Sequence, residues 1–275
     1  MQLQSLTLLP EYVGPSTWWQ HVPIAHWLIA QHRPSKVVEL GSHYGVSFFA
    51  FCEAAEAFSP TTFIYAVDTW AGDEHAGAYD NDVYGTVRQH WTTHHKHRAR
   101  LVRSTFDEAA EHFPDASIDL LHIDGLHTYE AVKHDYETWL PKLSADAVVL
   151  FHDINVRERN FGVWKLWEEL TKDPDTFSAA VMNGHGLGIL CRGQALQHDR
   201  EALNELLPIL VAKGVLLDKL ARATPGGSFE SLAPPTAAGQ GQQCQTKSAR
   251  TQTSEALQPS ALEVTPQRSC TPLVQ

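Results

Sequence analysis

A doubly wound α/β sheet of seven strands, mostly parallel with a reversed last strand, is the fold this 275-residue chain predicts. Three observations carry that expectation. Short runs rich in Val, Ile, Leu and Phe alternate with helix-like stretches, the pattern of strand–helix–strand crossovers. The first apolar run ends in Glu39-Leu40-Gly41-Ser42-His43-Tyr44-Gly45, a turn with two glycines that leads into a helix. Late in the chain, Asn183-Gly184-His185-Gly186 separates two short apolar runs, and that turn chemistry suits an antiparallel hairpin.

In order, residues 26–30 belong to a helix ahead of the first strand, read as a cap over the sheet edge. Strands are expected at 36–40, 63–67, 99–103, 118–123 and 147–151. Helices are expected between them at 47–57, 84–95, 106–112 and 128–140, the last ended by Pro141. A further helix at 161–170 gains its apolar face from Trp164, Leu166, Trp167 and Leu170. The closing pair is 178–182 with 188–191, and a leucine-rich amphipathic helix follows at 201–222. Beyond about residue 225 Gln, Ser, Thr, Ala, Pro and Gly dominate without periodicity, so that stretch is expected to be disordered. The organisation is thus an N-terminal helical cap (1–35), the α/β domain (36–193), a C-terminal helix (194–224) and a disordered tail (225–275).

Charge and cysteine usage narrow the function. A formal charge of -11 supplies no basic stripe to neutralise phosphates, which argues against nucleic-acid binding. The short basic patch at 94–100 is half histidine and reads as a solvated helix end. Cys52, Cys191, Cys244 and Cys270 are too dispersed for a zinc site or a disulfide framework, and a reducing cytoplasm fits them. Neither a signal peptide nor a membrane span is expected. Trp18 and Trp19, read as exposed, hint at a homodimer surface.

Ligands of open parallel sheets bind outside the carboxyl ends of the strands. The polar residues at those ends are Glu39, Asp68 with Thr69, Ser104 with Thr105, Asp124 with His127, and His152 with Asp153. The spacing after Glu39 is G-x-x-x-G and not the G-x-G-x-x-G that cradles a diphosphate, which points to a ligand with an adenosine and no phosphates. Asp68, at the tip of the second strand, is placed to accept ribose hydroxyls.

Glu39 to Gly45 resembles the first motif of class I S-adenosylmethionine-dependent methyltransferases, an acid followed by G-x-G-x-G, with His43 in place of the middle glycine. Ile123-Asp124-Gly125-Leu126-His127-Thr128-Tyr129 and His152-Asp153 resemble a bacterial branch of small-molecule and sugar O-methyltransferases, over roughly residues 20–193. The resemblance implies a Rossmann-like methyltransferase fold and a cytoplasmic enzyme. It implies S-adenosylmethionine held by Glu39, Gly41, Ser42, Gly45, Asp68, Thr69, Ser104, Thr105 and Asp124, with Asp107 as a further neighbour of the adenine. It implies a hydroxyl on a sugar or glycosylated small molecule as acceptor.

Asp124, His127, His152 and Asp153 can converge from adjacent strand ends. Carboxylates at Asp124 and Asp153 suit a Mg²⁺ ion that would lower the acceptor hydroxyl's pKa. Related metal-using enzymes carry a second acid where this chain has Ile154, so metal dependence stays open. His127 is favoured over His152 as general base, with Asp124 beside them as a catalytic acid residue. The polar loop 68–82 is expected to close over the pocket, Trp70 stacking beside the adenine and Asp73, Glu74 and His75 over the opening. The stretch 157–161 after Asp153 is expected to contact the acceptor, with Asn155 and Arg157 as the chosen candidates. Two alternatives remain: a nicotinamide-linked oxidoreductase on a similar sheet, and a non-catalytic interaction module that keeps the cofactor pocket.

Overall fold

The computed structural model describes residues 3–75, 77–78, 81–173 and 177–223. The expected tail from residue 225 and the loop residue Tyr79 lie outside the described residues.

Seven strands form one sheet: β1 (Lys36–Leu40), β2 (Phe63–Asp68), β5 (Ala99–Arg103), β6 (Ile118–Ile123), β7 (Leu143–His152), β8 (Phe177–Val181) and β9 (Leu187–Cys191). Their order is β5-β2-β1-β6-β7-β9-β8. The pairs from β5 across to β7 are parallel, whereas β9 runs antiparallel to both β7 and β8. This is the doubly wound, Rossmann-like methyltransferase sheet with its reversed final strand. Two short strands, β3 (Gly72–Asp73) and β4 (Gly77–Ala78), make a separate hairpin inside the loop after β2.

Strands buried on both faces read as near-continuous apolar runs, and β6 and β7 do so. One face, with Val37, Ala66, Leu120 and Val148, packs under α1 (Val22–His32), α2 (Val46–Phe58), α3 (Asn81–His90) and α7 (Arg200–Ala223). The other, with Val38, Val67, Leu121 and Val149, packs under α4 (Phe106–Ala110), α5 (Tyr129–Trp139) and α6 (Val163–Leu170).

Several boundaries differ from expectation for physical reasons. α4 stops at Ala110 after a capping box between Thr105 and Glu108 starts it. The stretch expected as one helix at 84–95 changes to a π-helical turn at Trp91–His95, where the Trp91 indole donates to the Ala99 carbonyl. In the basic patch that follows, His95 is buried and pairs with Glu56 at 3.1 Å, so this stretch is not simply a solvated end. The N-terminal segment covers a face of the sheet against α2 and α7, not an edge. Trp18, Trp19 and Trp27 are at most 2% exposed, which removes the reading of an exposed tryptophan surface for dimerisation. Cys52 and Cys191 are buried free thiols. Among the described residues no helix is long and apolar enough to cross a membrane.

Candidate active site

The strand order reverses between β1 and β6, which stay paired to their carboxyl ends. There the connections leave for opposite faces of the sheet, β1 to α2 and β6 to α5, opening a crevice between the two loops. A cavity of about 1160 Å³ opens there, at the upper end of ligand sites generally. Gly41, Ser42, Gly45, Asp68, Thr69, Thr105 and Asp124 line it, together with His127, His152 and Asp153. Glu39 and Ser104 do not line it. Ser104 instead donates its hydroxyl to Glu108, while Asp107 pairs with His134 at 2.8 Å.

The glycine turn is built around Asp68. One carboxylate oxygen, Oδ2, accepts the backbone N–H groups of Ser42 at 2.8 Å and His43 at 3.0 Å, and Oδ1 accepts that of Trp70 at 2.6 Å. Gly41 has φ +86°, and a Cβ there would fall 2.1 Å from the Asp124 carbonyl oxygen, so only glycine allows β1 and β6 to approach. His43 stands where the resembled motif has its middle glycine, and it does adopt a left-handed backbone with φ +47°. Asp68 holds its N–H and the Trp70 indole N–H donates to its carbonyl at 3.0 Å, contacts that oppose the strain of a side chain in that region.

Trp70 is therefore buried beneath the turn against Tyr84, not stacked at the ligand surface. Asp73 and His75 do line the cavity, whereas Glu74 does not. Asn155 and Arg157 also face elsewhere: Asn155 donates to the Met182 carbonyl and Arg157 pairs with Glu168. The same loop reaches the cavity through Arg159 and Phe161.

The second wall is a cluster of imidazoles and carboxylates. Asp124 follows β6, His127 lies three residues on, His152 ends β7 and Asp153 follows with φ +63°. His127 Nε2 lies 2.8 Å from Asp153 Oδ2 and 3.4 Å from Asp124 Oδ1. His152 Nδ1 lies 3.1 Å from Asp124 Oδ1 and 3.0 Å from Asp153 Oδ2, and its Nε2 faces the Gly184 carbonyl at 3.3 Å. Carboxylates and carbonyls only accept, so both ring nitrogens of His152 carry protons. His152 is thereby an imidazolium without a lone pair, which removes it as the general base in this arrangement.

Burial works against every charge here, and the opposite partners overcome it. His152 is raised well above the ordinary imidazole range by Asp124 and Asp153. Those carboxylates are held below the usual carboxylate range, chiefly by His152. Hydrogen bonds to Asp124 and Asp153 push His127 up to about 9 despite its burial. Its ring stacks on Phe161 with centroids 4.5 Å apart and planes 13° apart, and His75 stacks on Phe161 at 4.5 Å. Arg159 ties the two loops together by donating to the His75 carbonyl. His185 Nδ1 completes the shell, 3.0 Å from Asp153 Oδ1.

Phe161 belongs to the 157–161 stretch expected at the acceptor, though not as a stacking partner of His127, whereas His185 is not among the expected site residues. His185 reads in the sequence only as hairpin turn chemistry. The available signal for His185 was topological: a strand antiparallel to β7 must begin at its carboxyl end, where Leu187 pairs with His152.

Asp124, His152 and Asp153 each offer a ligand atom within 4.8 Å of one another. Two carboxylates and an imidazole fit a divalent cation, and the imidazole makes a first-row transition ion at least as suitable as magnesium. Loading would require the Nδ1 proton of His152 to leave.

Residues 38–154 match a family model described as a methyltransferase domain. A curated relative, the uncharacterized protein y4gI of Sinorhizobium fredii, is 46% identical over 188 residues. That alignment covers 68% of this chain, which spans only 20% of the relative's length. Among solved structures, one from Staphylococcus aureus, provisionally described as a caffeoyl-CoA O-methyltransferase, superposes with a TM-score of 0.51 at 18% identity, covering 66% of this chain and 86% of that one. Cofactor-bound Rv0187 from MTB superposes with a TM-score of 0.50 at 12% identity, covering 70% and 87%. At such identities the structural likeness speaks for the fold. The chain thus carries a segment that matches a methyltransferase domain, set in the sheet architecture these solved structures share.

Proposed function

We propose that the protein transfers a methyl group from S-adenosylmethionine to a hydroxyl of a sugar or glycosylated small molecule, with His127 as general base. The observation that carries this reading is one cavity with two unlike walls. The Asp68-braced glycine turn forms one, and the His127–Asp153–Asp124 group forms the other. The sugar class rests on the resemblance of the Asp124 to Tyr129 and His152-Asp153 segments alone.

When bound, S-adenosylmethionine supplies an electrophilic methyl that an acceptor oxygen must approach in line. This chain's residues position that oxygen and take its proton. Asp153 accepts the Nε2–H of His127 and Phe161 holds the ring flat. Because Asp124 and Asp153 push the ring up to about 9 despite its burial, it becomes a base only when Nδ1, which has no hydrogen-bond partner among the described residues, has given up its proton. Turnover is expected to rise with pH toward about 9. His152, proton-bearing on both nitrogens, keeps Asp124 and Asp153 charged and oriented. In place of that arrangement, a divalent cation held by Asp124, Asp153 and a His152 that has lost its Nδ1 proton would add Lewis acidity toward the acceptor hydroxyl.

Calorimetric titration with S-adenosylmethionine, followed by labelled methyl transfer to a panel of hexoses and glycosides with Mg²⁺, Mn²⁺ or chelator, tests the proposal. Micromolar binding and transfer to oxygen are expected. Binding of NAD in its place would move the protein to the oxidoreductase alternative. Cofactor binding with no transfer, unchanged by substitutions at Asp124, His127 and Asp153, would favour the interaction module.

A further inference from the structure

A second polar chain runs under the cavity, and it begins outside the matched segment 38–154. The Trp18 indole Nε1 lies 3.1 Å from His122 Nε2, His122 Nδ1 lies 2.9 Å from Glu39 Oε2, and the Ser42 hydroxyl lies 2.6 Å from Glu39 Oε1. Trp18, His122, Glu39 and Ser42 are exposed by 1%, 0%, 0% and 4%. The direction of each bond follows from chemistry. An indole N–H only donates, so His122 Nε2 must carry a lone pair and its proton must sit on Nδ1, donating to Glu39. Ser42 commits its hydroxyl proton to the other carboxylate oxygen. Because Ser42 also lines the cavity, its oxygen can then only accept from a ligand, which suits a ligand ammonium or hydroxyl.

Two more contacts make this arrangement a clamp. Residues 13–17 and Trp19 form a stretch of the cavity wall on either side of Trp18. The Tyr12 hydroxyl donates to the Tyr44 carbonyl at 2.7 Å, within the glycine turn itself. The N-terminal segment thus reaches the cofactor turn twice, once through Tyr12 and once through Trp18.

We propose that Trp18 and Tyr12 are positioning residues for the cofactor turn, with Trp18 acting through His122 and Glu39 to hold the Ser42 hydroxyl as an acceptor. This rests on the cofactor reading given above. The relay explains why Glu39, at the end of β1, is wholly buried and absent from the cavity wall: it orients the residue that meets the ligand. It also couples the N-terminal wall to the cofactor wall, because displacement of Trp18 frees the His122 tautomer and with it the Ser42 proton.

The test uses the full chain titrated with S-adenosylhomocysteine, with Trp18→Phe, Ser42→Ala and the double variant, each checked by thermal unfolding. Trp18→Phe keeps an aromatic ring and loses the donor. Affinity should fall about 5- to 20-fold in each single variant, and the double variant should be no more than about twofold weaker than Ser42→Ala alone, as expected for partners in one network. Tyr12→Phe, which removes the second tether, should weaken binding at least about threefold. Nitrogen-15 spectra of the imidazoles should show His122 as the Nδ1–H tautomer in the wild type and as a mixture in Trp18→Phe. Unchanged affinity in Trp18→Phe, multiplicative losses in the double variant, or a wild-type Nε2–H tautomer would each overturn the relay. Failure of the wild type to bind S-adenosylhomocysteine would instead overturn the cofactor reading, and the wild-type baseline separates the two failures.

Discussion

His127 and Asp153 come from different loops, one after β6 and one after β7, yet Nε2 and Oδ2 meet at 2.8 Å with the imidazole stacked on Phe161. The contact orients the ring and engages one nitrogen, leaving the other for proton transfer. His127→Ala should therefore lower turnover roughly 10²- to 10⁴-fold while cofactor affinity stays within about twofold. Single-turnover transfer beside calorimetry separates the two, and a near-normal rate would show that the proton leaves by another route.

Asp68→Ala removes the acceptor for three backbone N–H groups, those of Ser42, His43 and Trp70. The expected loss is about 1–3 kcal/mol in cofactor affinity with a comparable loss of stability. Asp68→Asn should lie between, since one amide oxygen can still accept. Thermal unfolding with titration calorimetry checks both, and wild-type values for Asp68→Ala would remove the brace from the account.

Gly41→Ala places a methyl 2.1 Å from a backbone oxygen at φ +86°, where neither neighbour can rotate away. The variant should lose more than about 2 kcal/mol of stability, or fold with the ends of β1 and β6 forced apart and cofactor binding abolished. Gly77→Ala shares a positive φ, and the added Cβ meets nothing within 4 Å, so it should cost only about 1 kcal/mol. Chemical denaturation of the pair distinguishes steric exclusion from backbone strain.

Glu53 ties the N-terminal segment to α2 by accepting the backbone N–H groups of Glu11 and Tyr12. Its burial pushes the carboxyl up to about 8, against the pull of those two bonds. A folded pKa above the unfolded value of 4.5 means the fold holds more protons than the unfolded chain between the two. The stabilisation is complete below pH 4.5 and is lost as pH rises to about 8. Glu53→Gln keeps an accepting oxygen and has nothing to ionise, so the decline from pH 5 to 8 should flatten by on the order of 1–4 kcal/mol. Urea denaturation across that range measures it, and identical slopes would place the acid dependence in another group.

The alternation of apolar runs and helical stretches, with the reversed closing pair, was enough to specify the sheet. Burial period and turn chemistry are local properties written residue by residue, and the polar residues at strand ends followed because parallel strands all deliver them to one edge. Gly41, Asp68, Asp124, His127 and Asp153 therefore reach the cavity from strand-end position alone. Which of them meet, and in which protonation state, was decided only by tertiary packing. His152 became an imidazolium because the β8–β9 turn brings the Gly184 carbonyl to one nitrogen while Asp124 and Asp153 face the other. Glu39 left the ligand wall because register sets it opposite His122, 83 residues away, with Trp18 on the far side of that ring. Local sequence determines which face a residue takes; partners from distant elements arrive there only through strand register and loop path, and no single stretch of chain encodes those.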